Sequence, residues 1–188
     1  MADNGTTVDV VDVLTADHRD VTALIGEIWS VRDPMIRRDL ADTAISELVR
    51  HAVAEEMYVY PVMREHLPEG EQAVQHDIEE HKDLERTMKE LEGCEPTDPR
   101  FTELVSELRR TLHHHATDEE TEQFPQLRAR VPREKLVQMR EQVERAKKLA
   151  PTRPHPNAPN NALFHMLVGP GVGLMDRVRD KLTGRSTG

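Results

Sequence analysis

Two histidine–glutamate pairs with the spacing of metal ligands lie in matching stretches of the sequence. Residues 51–61 and 115–125 both read His-Ala-x-x-Glu-Glu-x-x-x-aromatic-Pro, at an offset of 64 residues. In an α-helix a residue four positions on is rotated by only about 40°, so each histidine and the first glutamate after it share one face, one turn apart. The candidate metal ligands in these stretches are His51, Glu55, His115 and Glu119.

Both pairs are predicted to face the protein interior. Leu104, Leu108 and Leu112 lead at helical spacing into the second pair, and Leu40, Ala44 and Leu48 lead in the same register into the first. A carboxylate on such an apolar face is costly unless another group compensates its charge, and a bound cation does so. The pattern therefore favours a buried metal site.

Two more histidines are predicted to point inward, and they also repeat. His18-Arg-Asp-Val matches His81-Lys-Asp-Leu at an offset of 63 residues, and each histidine lies on the apolar stripe of its segment. Together the two halves offer four imidazoles and two carboxylates. Two histidines per metal with two shared carboxylates is the ligand set of a dinuclear site, and it suits iron, manganese or zinc.

The composition restricts both the fold and the partners. Among 188 residues, 37% are hydrophobic, 32% are charged and only 3% are aromatic, which is more typical of an all-helical protein than of a β-sandwich. The net charge of −10 argues against nucleic acid and anionic membranes as partners. The single Cys94 excludes an internal disulfide, and the polar N-terminus does not resemble a signal peptide, so we expect a cytoplasmic protein.

The hydrophobic periodicity predicts an all-α fold, an antiparallel up-down four-helix bundle with an additional C-terminal helix and an extended tail. Pro61 and Pro125 fall inside predicted helices, so a kink or an early end is expected at each. The bundle and fifth helix form one domain, residues 1–150, followed by a Pro-rich linker and short helical tail, residues 151–188. The predicted helices cover residues 10–31, 35–65, 71–91, 100–130 and 134–149.

The ligand pattern resembles that of the haemerythrin-like HHE cation-binding proteins, which carry His, His-x-x-x-Glu, His and His-x-x-x-Glu in this order. The resemblance covers about residues 10–130. It implies a four-helix bundle that holds two non-haem iron ions joined by an oxo or hydroxo bridge. By the same resemblance, Glu55 and Glu119 bridge the irons, His18 and His51 bind one of them, and His81 and His115 bind the other.

One position departs from the family pattern. Oxygen-carrying haemerythrins have an extra histidine one turn before the residue that matches His81, and Asp77 stands there in this chain. Either Asp77 is a ligand or one iron has one ligand fewer, which favours peroxide or oxygen chemistry over reversible oxygen carriage. Tyr58 and Glu122, seven residues after their histidines, could ligate iron or pass a proton. We predict Tyr58 as a catalytic residue, with a plain core tyrosine as the alternative.

Several neighbouring residues compete for the same roles. His114 and Asp118 have the same spacing as His115 and Glu119, but the 64-residue repeat favours the latter pair. Glu56 and Glu120 are rotated about 140° from their histidines and are expected outside the ligand set. His66, His76, His113 and His114 are predicted to lie at the surface.

Three functions remain open from the sequence. The first is a protein that binds or senses dioxygen, nitric oxide or iron and signals through its tail to a protein partner. The second is a di-iron catalase-like enzyme that removes hydrogen peroxide, which the substitution at Asp77 favours. The third is a zinc-stabilised or metal-free bundle that mediates protein contacts. The small-molecule partners predicted are dioxygen, peroxide or nitric oxide.

Overall fold

A computed structural model of the chain describes residues 8–150, and every regular element in this range is a helix. The predicted linker and tail, and the protein partner predicted for them, fall outside the described residues. No helix among residues 8–150 is long and apolar enough to cross a bilayer. The helices are α1 (Val10–Ser30), α2 (Pro34–Ala54), α3 (Tyr60–His66), α4 (Gly70–Gly93), α5 (Pro99–Asp118), α6 (Phe124–Arg130) and α7 (Arg133–Leu149).

Aspartate residues begin three of the long helices. The Asp9 carboxylate accepts hydrogen bonds from the first turn of α1, and the Asp12 side chain accepts one from the Asp9 backbone N–H. Asp33 and Asp98 cap α2 and α5 in the same way, and each is followed by a proline at the first helical position. Such caps satisfy N–H groups that have no partner within the helix, which fixes where each helix starts.

The two prolines inside the predicted helices do not end them. α2 continues into α3 through a π-helical turn, Glu55–Val59, and α5 continues into α6 through a second one, Glu119–Gln123. In the first of these turns the Tyr60 N–H donates to the carbonyl of Glu55, five residues back. Proline has no N–H and crowds the preceding turn, so the irregularity falls in the π-helical turn just before each proline.

The helices form an antiparallel bundle with the predicted architecture. α1 lies beside α2 and α5, and α4 lies beside the same two helices, which closes a ring of four. α3 and α6 extend the second and fourth members of this ring, and α7 packs against α1 and α2. The all-α prediction, with a four-helix bundle and an additional helix, is confirmed.

A polar layer divides the core. One apolar cluster includes Leu14, Val74 and Met139, and the other includes Ile25 and Leu108. The candidate ligands lie between the two clusters, because each occupies an inward position midway along its helix. Apolar packing on both sides removes this layer from water, which raises the cost of any charge that is not compensated there. The six residues of the layer are His18, His51, Glu55, His81, His115 and Glu119.

Candidate metal centre

Four imidazoles from four different helices meet at the middle of the bundle. None of their side chains is more than 4% exposed. His18 Nε2 lies 3.0 Å from His51 Nε2, and His81 Nε2 lies 3.3 Å from His115 Nε2. The histidines thus form two pairs, and each pair combines one helix that carries a lone histidine with the helix that follows it in the ring.

The two buried glutamates lie between these pairs. Glu55 Oε2 is 3.1 Å from His51 Nε2 and 3.4 Å from His81 Nε2. Glu119 Oε2 is 3.3 Å from His18 Nε2 and 3.6 Å from His115 Nε2. Each carboxylate therefore approaches one histidine from either pair, which is the placement that a bridging ligand requires.

The chemistry of these donors fits metal ions. Glu55 and Glu119 are fully buried, and within residues 8–150 their carboxylate oxygens meet the site imidazoles but no well-aligned hydrogen-bond donor. Ligand atoms about 2 Å from a shared metal lie about 3 Å from one another, close to the separations found here. Three buried groups among the described residues are placed to hold an ion: His18 with His51, His115 and Glu119; Glu55 with His81 and His115; and Asp77 with Glu80 and His115.

Every imidazole also contacts a second carboxylate through its outward nitrogen. His18 Nδ1 lies 2.8 Å from Glu120 Oε1, and His115 Nδ1 lies 3.0 Å from Glu80 Oε2. An N–H donated from Nδ1 leaves the Nε2 lone pair facing the centre and holds the ring in place. The other two contacts are Asp17 with His51 at 3.2 Å and Glu56 with His81 at 3.3 Å.

The four outer carboxylates occupy positions that repeat between the two halves of the sequence, although no contact with a histidine was predicted for them. Glu56 and Glu120 come directly after the two buried glutamates, and Asp17 and Glu80 come directly before the lone histidines. The repetition of these positions was the sequence signal that could have indicated their role. Rotation about the helix axis excluded Glu56 and Glu120 from the predicted ligand set, and only the packing of neighbouring helices brings each of the four carboxylates to a histidine.

The charges of the buried histidines and carboxylates compensate one another at the centre. Burial favours the neutral form of His51, but the carboxylates of Glu55 and Asp17 outweigh burial and raise its pKa to about 10. Burial likewise opposes ionisation of Glu55, yet the surrounding imidazoles, above all His51, hold its pKa well below the usual range. The pKa of His81 is also raised well above 6.5, against burial, by Glu55 and Glu56. The buried imidazoles and carboxylates therefore compensate one another's charge in this layer.

The π-helical turns decide which aromatic residue reaches the centre. Tyr60, nine residues after His51, has its hydroxyl 3.2 Å from His81 Nε2 and its ring stacked on that imidazole at 5.6 Å between centroids. Phe124 holds the matching position and stacks on His18. Tyr58, the residue predicted as catalytic, is half-buried and packs against the apolar cluster that contains Leu14. In an unbroken α-helix, on which the prediction of Tyr58 rested, position seven rather than nine shares the histidine face.

Asp77 and Gln123 form a polar pair on one side of the centre only. The buried Gln123 amide donates to Asp77 Oδ1 over 2.8 Å. Burial and the nearby Glu119 raise the pKa of Asp77 to about 7, despite the hydrogen bond from Gln123. At the matching positions of the first half stand Leu14 and Val59, both buried. The surroundings of the two histidine pairs are therefore polar near His81 and apolar near His18.

Two cavities lie near this layer. A small, mostly apolar cavity of about 10 Å³ touches His51, His81 and His115, which is about the space of one water molecule. A larger surface cavity of about 250 Å³ is lined by Gln123, the partner of Asp77, and by none of the six candidate ligands. Glu122, the other residue predicted at position seven, lines the surface cavity and is exposed.

Comparison with known proteins agrees with this geometry. The sequence model of the Hemerythrin HHE cation binding domain matches residues 9–127, which include all six candidate ligands. An uncharacterized hemerythrin-like protein from Schizosaccharomyces pombe is 29% identical over 174 residues, or 92% of this chain and 86% of that protein. A DNA nickase from Nostoc is 27% identical over 139 residues, 74% of this chain but only 39% of the nickase. No solved structure gives a significant match. The chain belongs to the family of hemerythrin HHE cation-binding domains.

Proposed function

We propose that this protein holds two non-haem iron ions and uses them to bind dioxygen or peroxide and react with it. The observation that carries the proposal is the position of Glu55 and Glu119, each between one histidine of either pair at 3.1–3.6 Å. In this assignment Glu55 and Glu119 would be shared by the two ions, His18 and His51 would hold one ion, and His81 and His115 would hold the other.

The donor set narrows the choice of metal, and the proposed redox chemistry favours iron within it. Imidazole nitrogen with carboxylate oxygen suits iron, manganese and zinc, and excludes ions that require oxygen ligands alone. Bound iron would supply the redox change that chemistry with dioxygen or peroxide requires. The protein itself fixes the four imidazole rings through the outer carboxylates Asp17, Glu56, Glu80 and Glu120.

The ligand-binding side is proposed to be the one at His81. The Tyr60 hydroxyl and the Asp77 carboxyl are polar groups that can hold a proton there, whereas Phe124 and Leu14 occupy the corresponding places near His18. A proton donor close to the metal assists reactions in which oxygen atoms take up electrons and protons together. The small cavity that touches His51, His81 and His115 favours small molecules such as dioxygen, peroxide or nitric oxide as ligands. We retain the cytoplasm as the proposed compartment, with Cys94 as a free thiol.

A second candidate function is a catalase-like enzyme that removes hydrogen peroxide. It is favoured by the same two groups, since Tyr60 and Asp77 offer two separate proton-carrying side chains on one side of the centre. Rapid gas evolution when peroxide is added to the iron-loaded protein would support the enzyme over the sensor.

The metal content of the purified protein tests the two-iron site on which both candidate functions depend. The full chain is purified with iron supplied, alongside His115→Ala and the matched control His113→Ala, whose histidine is exposed and two residues away. Wild type and control should contain two irons per chain and show the near-ultraviolet absorption of bound ferric iron, and His115→Ala should lose both metal and absorption. Zinc, or no metal, in all three proteins would refute the proposal.

A further inference from the structure

A second group of possible ligands lies at the surface between α4 and α5. His76 and Glu80 are four residues apart on α4, and His114 and Asp118 are four residues apart on α5, so each pair shares a helix face. His76 Nε2 lies 3.5 Å from both Glu80 Oε1 and Asp118 Oδ2. His114 lies 3.6 Å from Glu80 through Nε2 and from Asp118 through Nδ1. One ligand atom from each of the four falls within 4.8 Å of the others.

Glu80 points an unsatisfied oxygen into this group. The residue is only 8% exposed, and its Oε1 makes no hydrogen bond to any residue in the described range. Its other oxygen, Oε2, accepts from His115 Nδ1 over 3.0 Å. A buried carboxylate oxygen without a partner is costly, and a cation at the surface group would satisfy it.

In the first half of the bundle, a lysine provides the positive charge that such a cation would provide in the second half. Asp17 occupies the position that matches Glu80, and one of its oxygens likewise contacts a metal-site histidine, His51. The other oxygen of Asp17 accepts from the Lys147 ammonium of α7. α7 packs on α1 and α2, so in the second half the equivalent oxygen of Glu80 meets two imidazoles instead of an ammonium.

We propose that His76, Glu80, His114 and Asp118 bind one divalent transition-metal ion, separate from the buried centre. Two imidazole nitrogens with two carboxylate oxygens suit Zn²⁺, Fe²⁺ or Co²⁺ and not the hard cations Mg²⁺ and Ca²⁺, which prefer oxygen ligands alone. The histidine side chains are 53% and 64% exposed, so the ion can enter directly from solvent. Bound there, it provides for Glu80 the positive charge that Lys147 provides for Asp17, and it steadies the carboxylate that positions His115.

Cobalt binding to the untagged full chain tests the site. Co²⁺ is titrated into wild type, the double variant His76→Ala/His114→Ala and the control His113→Ala, with bound equivalents counted by equilibrium dialysis and followed by the visible cobalt absorption. We expect wild type and control to bind one equivalent more than the double variant. Each single variant should bind this equivalent at least about tenfold more weakly, since each loses one of four ligands.

The comparison remains decisive whatever occupies the buried centre. If iron does not fill that centre, Co²⁺ enters it in every protein alike, and the difference of one equivalent between wild type and double variant persists. Both substituted side chains are exposed, so the helical circular dichroism should be unchanged and should exclude loss of the fold. Equal numbers of bound Co²⁺ in wild type and double variant would overturn the proposal.

Discussion

Replacing Tyr60 with phenylalanine isolates the hydroxyl that distinguishes the two sides of the centre. The substitution keeps the ring that stacks on His81, and phenylalanine already fills the matching position, as Phe124. The Nδ1 atom of His81 retains Glu56 as a partner at 3.3 Å, so the substitution leaves that nitrogen with a partner. A single hydrogen bond contributes about 0.5–1.5 kcal/mol, and the free energy of unfolding should fall by no more than that.

The effect on chemistry should be much larger than the effect on stability. A positioned proton donor contributes about 10²–10⁴-fold to a rate, equivalent to about 3–5 kcal/mol of activation free energy. Burial, followed by the charges of Glu55 and Glu119, raises the pKa of Tyr60 well above 10. The hydroxyl therefore stays protonated throughout the neutral range, and the ratio of the two rates should not change with pH there.

The assay is the rate of peroxide consumption per iron centre in stopped-flow experiments, with Tyr58→Phe as the matched control. Tyr58 lies half-buried against the apolar cluster, and no hydrogen bond from its hydroxyl to a site histidine is found in the described range. We expect Tyr58→Phe to react within about twofold of wild type. Wild-type rates in Tyr60→Phe, or a large loss confined to Tyr58→Phe, would refute the assignment of the proton donor to Tyr60.

Further predictions concern the ligands, their protonation and the core. Glu120→Ala removes the acceptor 2.8 Å from His18 Nδ1 and should weaken metal binding about 10–100-fold in chelator competition; unchanged affinity would contradict this role. The pKa of His51 in the metal-free fold is raised from 6.5 to about 10, so its stabilising contribution is complete below pH 6.5 and is lost as the pH rises through about 10. Urea unfolding of the metal-free protein across that window should show the decline. Metal binding near neutral pH should also release protons, seen by calorimetry in buffers of different ionisation enthalpy, and a buffer-independent heat would argue against it. Leu108→Ala should reduce the free energy of unfolding by about 2–5 kcal/mol, measured with urea, because Leu108 is fully buried; a loss below about 1 kcal/mol would show that the core collapses around the gap.

The internal repeat explains why so much of the fold and site could be predicted. A ligand pair at four-residue spacing on an apolar stripe needs only the periodicity of an α-helix to be recognised, and the repeat selected His115 over the adjacent His114. The structure buries His115 and leaves His114 exposed. The predicted pair His114 and Asp118, set aside for the buried centre, instead contributes to the surface group proposed above.

Two features of the site could not be predicted from the spacing of residues along a regular α-helix. Tyr60 faces the centre because a π-helical turn adds a residue to the turn before Pro61, and the hydrogen bond that defines this turn joins backbone atoms of any residue type. The contact between Asp77 and Gln123 joins α4 to the second π-helical turn across 46 positions of sequence. Neither residue carries a local signal that predicts the other as its partner.

Helical periodicity and the internal repeat predict the helices, their inward faces and the six candidate ligands, because both are properties of local order along the chain. The packing of the helices sets how those faces meet. It placed Glu55 and Glu119 between histidines of different helices, gave every ring an outer carboxylate, and left Glu80 with an unsatisfied oxygen at the surface. These relations depend on distances between segments far apart in sequence, which helix packing sets and spacing along the chain does not encode.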